Sequence, residues 1–140
     1  MTELAKPRPE FRNINAFTDL PTYRLPAPGW VSILHRVSGV LMFVLLPLVL
    51  WIFDRSISSE ISFGRFRSAF ETGATGVLLK LLALALIWAY LHHFIAGVRH
   101  LWMDVTHSVS LHQGRTSAIF TLAASLLLTI VFGARLFGLY

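Results

Sequence analysis

Three long apolar segments, separated by shorter polar ones, dominate the pattern of the chain. The runs that contain no Asp, Glu, Lys or Arg are residues 37–53, 81–98 and 116–134. Each run approaches or reaches the roughly 20 residues that an α-helix needs to cross the hydrocarbon core of a bilayer. We therefore predict an all-α integral membrane protein with a single domain, whose transmembrane helices lie at about residues 30–54, 77–104 and 115–138.

The composition agrees with a lipid environment. Hydrophobic residues make up 55% of the 140 positions and charged residues 14%, whereas soluble domains carry about 25% charged residues. A chain of this length cannot bury so much apolar surface in a water-soluble core. The formal net charge is +5. Because the basic residues flank the apolar runs, where they anchor helices, we expect membrane lipid and no nucleic acid as a partner.

The chain contains no cysteine. It therefore has no disulfide scaffold, no thiolate zinc site and no cysteine-bound iron–sulfur cluster of its own. It contains six histidines, and these are its main candidates for binding a metal or a cofactor.

Polar segments flank and connect the apolar runs. Residues 1–29 are rich in proline and mixed in charge. They lack the apolar stretch of a signal peptide, and their acidic residues argue against a transit peptide. We expect this N-terminal arm to be extended and to order on assembly. The connection over residues 54–72 is mixed in charge and has room for a short helix, whereas residues 106–115 form a short connection.

The distribution of basic residues bears on orientation. Three crossings place the N-terminal arm and the second connection on the same side of the membrane. That side carries seven of the 12 basic residues: Lys6, Arg8, Arg12, Arg24, Arg36, Arg99 and Arg115. Basic residues favour the cytoplasmic side. This small bias, with the lack of a transit peptide, predicts a multi-pass protein of a bacterial inner membrane with a cytoplasmic N-terminus.

One face of the second apolar helix carries polar residues at membrane depth. Projected at about 100° per residue, four positions share a stripe of about 60°: His93, Gly97, His100 and Asp104. Ionisable residues inside a membrane helix are usually functional. A neutral imidazole at this depth suits haem iron, and Gly97 one turn away leaves room for a flat macrocycle. A membrane histidine is also a common hydrogen-bond partner for another helix, and we assign that role to His92, on a different face.

The first helix opens with a polar face. Four residues project to one side of it, while Ser38 points away: Ser32, His35, Arg36 and Gly39. A serine hydroxyl can donate to a quinone carbonyl, and an arginine supplies positive charge where negative charge develops during reduction. Ordinary alternatives stay open, because Arg36 can bind lipid phosphate and Ser32 can cap the helix. Haem propionates are a further use for His35 and Arg36.

Two motifs built from these residues resemble a known family. Residues 32–39, Ser-Ile-Leu-His-Arg-Val-Ser-Gly, are similar to a signature of the cytochrome b subunit of succinate dehydrogenase (succinate:quinone oxidoreductase, complex II). Residues 93–104, with the pattern His-x-x-x-Gly-x-Arg-His-x-x-x-Asp, resemble that family's second motif. The order of the motifs, their separation and the third helix that follows them also fit the family.

The resemblance implies a haem b and a ubiquinone-reduction site. His93 would be the axial ligand of the haem iron, since its spacing from the motif glycine fits better than that of His92. The residues near the haem propionates would be His35, Arg36 and His100. Ser32 and Arg36 would belong to the ubiquinone site.

The resemblance also implies a complex of separate chains. A flavoprotein with FAD would oxidise succinate, and an iron–sulfur subunit would pass the electrons on to quinone. A second small membrane anchor subunit would supply the other haem ligand, in a haem-binding helical bundle that it shares with this chain. The chain would then serve the tricarboxylic acid cycle and the respiratory chain as a membrane anchor that carries no flavin.

Other functions stay open at this stage. A quinol:fumarate reductase anchor has the same architecture and runs the reaction in reverse. A proton-relay subunit would use His93, His100 and Asp104 without a haem. A haem-free structural anchor would only tether soluble subunits to the membrane.

Overall fold

The computed structural model describes residues 14–15, 17–71 and 73–140. Residues 1–13 of the N-terminal arm lie outside the described part of the chain, and the expectation of an extended arm therefore stays a prediction for them. The described remainder of the arm contains a short 3₁₀ helix, Leu20–Thr22, and leads into the first long helix.

Four α-helices follow in chain order: α1 (Ala27–Ser58), α2 (Glu60–Ala69), α3 (Gly73–Thr106) and α4 (Leu111–Leu136). The three long helices α1, α3 and α4 are apolar enough to cross a membrane, and the described residues form no β-strand. The prediction of an all-α membrane protein with three spanning helices is therefore confirmed. The short helix for which the first connection has room is α2.

Local sequence fixes where the helices begin. Pro28 lies in the first turn of α1, where a missing backbone N–H breaks no hydrogen bond. Ser59 and Ser110 cap α2 and α4 through capping boxes. Each serine side chain accepts from the backbone N–H three residues on, and that residue's side chain bonds back to the cap; the partners are Ser62 and Gln113.

The interior of the bundle is small and polar, and its outside is apolar. Among the most deeply buried side chains are Ser38, His92, Thr121 and Ser125. Large apolar side chains point outward along all three long helices, for example Phe43 at 78% exposure. This pattern is expected in lipid, where helices associate through small and hydrogen-bonding residues because lipid tails already solvate the apolar ones.

The central helix α3 packs against both α1 and α4 and runs antiparallel to them. The ring of His35, early in α1, stacks on that of His93, late in α3. Gly133, late in α4, faces Leu84, early in α3, and a Cβ atom at Gly133 would lie 2.9 Å from Leu84 Cδ1. Glycine therefore lets α3 and α4 approach closely at one end, while α1 and α3 bring two histidines together at the other.

Candidate functional site

The neighbouring histidines of α3 face different helices. His92 is fully buried, and its Nδ1 atom lies 3.1 Å from the Oγ atom of Ser125 on α4. Its ring stacks on Trp88 with centroids 5.7 Å apart. His93 turns instead toward α1 and is only partly buried. The structure therefore places His92 in the helix interface that the sequence suggested and separates it from His93.

The backbone of α1 holds the imidazole of His93. The Nδ1 atom of His93 lies 3.0 Å from the carbonyl oxygen of His35 and 3.3 Å from the hydroxyl oxygen of Ser38. A carbonyl oxygen can only accept, so Nδ1 must carry the proton in this bond. The lone pair of the neutral ring is then on Nε2. This is the arrangement in which a histidine presents Nε2 to a metal, its other nitrogen being fixed by a backbone carbonyl.

Ser38 belongs to this contact, contrary to the expectation that it points away. The residue is fully buried, and its hydroxyl donates to the carbonyl oxygen of His35 at 2.9 Å. The same oxygen is free to accept from His93 Nδ1. The projection around α1 was a poor guide because it gives directions about one helix axis and does not say where α3 crosses. Gly39, the residue after Ser38, was the feature of the sequence that indicated a close approach of another helix to α1.

Three histidines cluster between α1 and α3. The rings of His35 and His93 stack with centroids 4.0 Å apart and planes 17° apart, and His100 lies 5.4 Å from His35. Within the described part of the chain, the Nε2 atoms of both His35 and His92 are buried without a hydrogen-bond partner. A buried polar atom without a partner costs free energy. At His35, which lies beside the open backbone of Gly97, this cost would be removed by a bound group.

Two glycines shape the cluster. A Cβ atom at Gly39 would lie 3.0 Å from Cε1 of His93, so only glycine lets α1 approach this ring without a shift. A Cβ atom at Gly97 would meet only Nε2 of His35, at an ordinary contact distance of 3.8 Å. Gly39 is thus needed for the packing of the chain itself, whereas Gly97 leaves open backbone next to the histidines.

The predicted polar face of α1 is divided by the structure. His35 and Gly39 lie against α3, whereas Arg36 is exposed. One guanidinium nitrogen of Arg36, Nη2, donates to the hydroxyl oxygen of Ser32 at 3.3 Å. The two residues expected at a quinone site are therefore adjacent, and the donated bond leaves the hydroxyl proton of Ser32 free to point elsewhere.

Arg99 has a structural role that the sequence did not reveal. It is 8% exposed, and it donates from Nε to Ser117 Oγ at 2.9 Å and from Nη2 to the carbonyl oxygen of Gly114 at 3.2 Å. Arg99 lies seven residues, or about two turns, after His92 on α3, so both project to one side of the helix and both bond to α4. Asp104, the last residue of the predicted stripe, is exposed near the end of α3.

An apolar groove adjoins the histidine cluster on the side away from the N-terminal arm. It has a volume of about 530 Å³ and runs between α1 and α3, with one side chain from α4. Met42 of α1 and Tyr90 of α3 line it next to the turns that carry Gly39 and His93. The site thus combines polar side chains on one side with an apolar wall on the other.

Comparison with known proteins gives a consistent set of relatives. The family described as succinate dehydrogenase/fumarate reductase transmembrane subunit matches residues 8–132. The succinate dehydrogenase cytochrome b556 subunit of Coxiella burnetii is 30% identical over 115 residues, which cover 82% of this chain and 90% of that one. The subunit of the same name from Paracoccus denitrificans is 27% identical over 112 residues, covering 80% of this chain and 83% of the relative.

Proposed function

This chain belongs to the succinate dehydrogenase/fumarate reductase transmembrane subunit family, and from that premise we propose that it binds haem b through His93 and contributes to a ubiquinone-reduction site. The family membership confirms the resemblance seen in the two motifs. It makes the chain a multi-pass membrane subunit of that enzyme complex. The haem, the quinone and the individual residues are the proposal.

The observation that carries the haem proposal is the bond between His93 Nδ1 and the carbonyl oxygen of His35, 3.0 Å apart. It fixes the ring orientation and leaves Nε2 as the nitrogen with a lone pair. The buried, unpartnered Nε2 of His35 and the open backbone at Gly97 also fit a large group beside the cluster. A bound haem would supply one-electron redox chemistry at this depth in the membrane.

Of the two adjacent histidines, the geometry favours His93 as the ligand. Both rings are held through Nδ1, but His92 is fully buried between helices, whereas His93 is only partly buried. A macrocycle that reached His92 would have to separate α3 from α4. His93 lies at the surface of the α1–α3 pair and needs no such rearrangement.

We place the haem propionates near His35, Arg36 and His100. Propionates are carboxylates and favour cationic or N–H donors. The free Nε2 of His35 is one such group, and His100 lies beside it. Arg36 lies in the adjacent turn of α1, and its guanidinium is engaged by Ser32 through only one nitrogen.

Ser32 and Arg36 are the proposed quinone-binding residues. Because Arg36 donates to Ser32 Oγ, the O–H of Ser32 points away from the guanidinium. The hydroxyl can therefore donate a hydrogen bond to a quinone carbonyl. The positively charged guanidinium stabilises negative charge that develops on the quinone oxygens. Both residues lie in the second and third turns of α1, where protons from water have a short path.

The proposed partners follow from the family and from the chain's lack of cysteine. We propose that a separate flavoprotein with FAD and a separate iron–sulfur subunit deliver electrons from succinate. A second small membrane anchor subunit would supply the other haem ligand and complete the helical bundle. We further propose a bacterial inner membrane, with the N-terminus on the cytoplasmic side.

One candidate function from within the family stays beside this proposal. The family description covers fumarate reductases as well, so an anchor for quinol:fumarate reduction is the second candidate. The midpoint potential of the native quinone would separate the two. A low-potential quinone would favour fumarate reduction, and ubiquinone would favour succinate oxidation.

The test is a reduced-minus-oxidised visible spectrum of the purified complex. Wild type is compared with His93→Ala, and His92→Ala serves as the matched control on the neighbouring face. We expect a b-type band in wild type and in His92→Ala, and its loss or shift in His93→Ala. A normal band in His93→Ala would overturn the assignment of His93 as the haem ligand. A colourless wild-type complex would favour a haem-free structural anchor or a proton-relay subunit.

A further inference from the structure

A second groove lies at the end of the bundle opposite the histidine cluster. It has a volume of about 570 Å³ and is bounded by α2, the start of α3 and the end of α4. Its charged lining comprises one acid, Glu71, and three cations, one from each helix: Arg67, Lys80 and Arg135. We call it the basic groove. Lys80 precedes His93 by 13 positions on α3, or about 20 Å at the rise of an α-helix, so this groove is separate from the haem site proposed above.

Acidic side chains pair with only part of the positive charge of the basic groove in the described chain. Arg67 forms an ion pair with Glu71 at 3.4 Å, and both side chains are largely exposed. Arg135 donates from Nη1 to a main-chain oxygen of Tyr140 at 2.8 Å. The ammonium group of Lys80 lies 5.8 Å from the ring centre of Phe137. Within the described part of the chain, no Asp or Glu side chain forms an ion pair with Lys80 or Arg135.

The wall of the groove is aromatic. Phe63 and Phe66 of α2 line it together with Phe70, the residue that follows the helix. The rings of Phe66 and Phe70 pack edge to face with centroids 5.1 Å apart. Two basic residues of α2, Arg65 and Arg67, are exposed. An amphipathic helix of this kind lies in the plane of the membrane interface, with its rings toward the acyl chains.

The depth of the cations matches that of lipid headgroups. Lys80 immediately precedes the uncharged run over residues 81–98, and Arg135 immediately follows the run over residues 116–134. Both residues therefore mark the boundary between the hydrocarbon core and the interface. A ligand at the basic groove would meet positive charge at headgroup depth and aromatic surface directly beside it.

We propose that the basic groove binds an anionic diacyl phospholipid. Its phosphate lies between Lys80 and Arg135, with Arg67 at the rim, and its acyl chains follow the aromatic face of α2. Such a lipid is the one common ligand that presents a phosphate and long apolar chains together at this depth. An acidic segment of a partner protein would satisfy the cations but would leave the aromatic wall unexplained.

The test uses the assembly purified in detergent through a tag on this chain. Bound lipid is counted by native mass spectrometry while dioleoylphosphatidylglycerol or dioleoylphosphatidylcholine is added, and the melting temperature is followed in parallel. We expect the anionic lipid to bind first and to raise the melting temperature more than the zwitterionic one. In Lys80→Gln/Arg135→Gln the apparent affinity for the anionic lipid should fall roughly thirtyfold, since each basic residue at the interface contributes about a factor of five.

Two further variants make the result decisive. Arg115→Gln removes an exposed cation at the other end of α4 and should leave lipid binding unchanged. Lys80→Arg/Arg135→Lys keeps both charges and should bind as wild type does, which separates lost charge from faulty folding. Equal binding of the two lipids, full binding by the doubly neutralised variant, or the same stabilisation by inorganic phosphate alone would overturn the proposal. So would loss of a partner subunit from the doubly neutralised assembly with its lipid still bound.

Discussion

The imidazole of His92 and the hydroxyl of Ser125, 3.1 Å apart, connect α3 with α4 in the interior of the bundle. The bond fixes the rotation of α3 about its own axis, because both groups are buried and neither can exchange its partner for water. Since successive residues are about 100° apart on a helix, this rotation is also what turns His93 toward α1.

Ser125→Ala should destabilise the complex without changing the identity of the haem ligand. The substitution leaves Nδ1 of His92 buried without its partner, which costs about 1–3 kcal/mol. We expect a lower melting temperature and an unchanged b-type band in thermal unfolding and visible spectroscopy of the same sample. A wild-type melting temperature would show that the His92–Ser125 bond contributes nothing to stability.

Ser38→Ala should shift the midpoint potential of the haem to more positive values. The hydroxyl oxygen is one of two acceptors near His93 Nδ1, and an acceptor on that nitrogen makes the ring a stronger electron donor to iron. The measurement is a redox titration of the b-type band. Ser38→Thr keeps the hydroxyl and should retain the wild-type potential, so an equal shift in both variants would point to altered packing instead.

Two glycine substitutions should distinguish an effect on the packing of the chain from an effect on haem binding. Gly39→Ala forces the ring of His93 to move. It should lower the free energy of unfolding by about 1–3 kcal/mol and also reduce the amount of bound haem. Gly97→Ala meets only an ordinary contact with His35, and it should keep the wild-type melting temperature of the haem-free chain but lose haem severalfold.

The readout for both glycine variants is haem per complex together with thermal unfolding. Gly64→Ala is the control, because a Cβ atom there would meet nothing within 4 Å. If Gly97→Ala bound haem as wild type does, the macrocycle could not lie against this face of α3.

Arg99→Ala should weaken the attachment of α3 to α4. The guanidinium bonds to Ser117 and to the carbonyl of Gly114 while it is almost fully buried, and hydrogen bonds to a charged group contribute about 1.5–3 kcal/mol each. We expect a clear loss of thermal stability in a melting experiment. Arg115→Ala, at an exposed position two residues before Ser117, should melt as wild type does. A similar loss in both variants would indicate a general effect of charge.

Arg36→Ala and Ser32→Ala should lower the transfer of electrons to quinone. Removing one preorganised donor costs on the order of 100-fold in rate, and the effect of the neutral hydroxyl should be about tenfold. The measurement compares succinate–ubiquinone activity with succinate oxidation by an artificial dye, which needs no quinone site. Full quinone activity in both variants would remove these residues from the proposed site.

Much of the fold could be predicted from the sequence because one physical constraint dominates it. A membrane span must be long and apolar, and the runs ending at Phe53, Val98 and Ala134 leave no other assignment. The separation of His92 from His93 was also within reach, since the angle between neighbours on a helix is fixed.

The contacts between helices could not be predicted from the sequence. The projection of α1 gave the direction of Ser38 about its own axis but not the position of α3, so its bond to His93 was missed. Arg99 was missed for a related reason. An arginine at the end of a membrane helix usually extends to the lipid surface, and only the partners on α4, Ser117 and Gly114, show that this one does not.

The carbonyl group that orients His93 belongs to the main chain of residue 35, whereas the ring that stacks on His93 belongs to its side chain. A substitution can change one of these two contributions without the other. A substitution at His35 removes the ring and its free Nε2 atom but cannot delete the peptide oxygen, so the ligand keeps its anchor while its surroundings change. Substitutions at residue 35 can therefore change the surroundings of the proposed haem while the bond that orients His93 is kept.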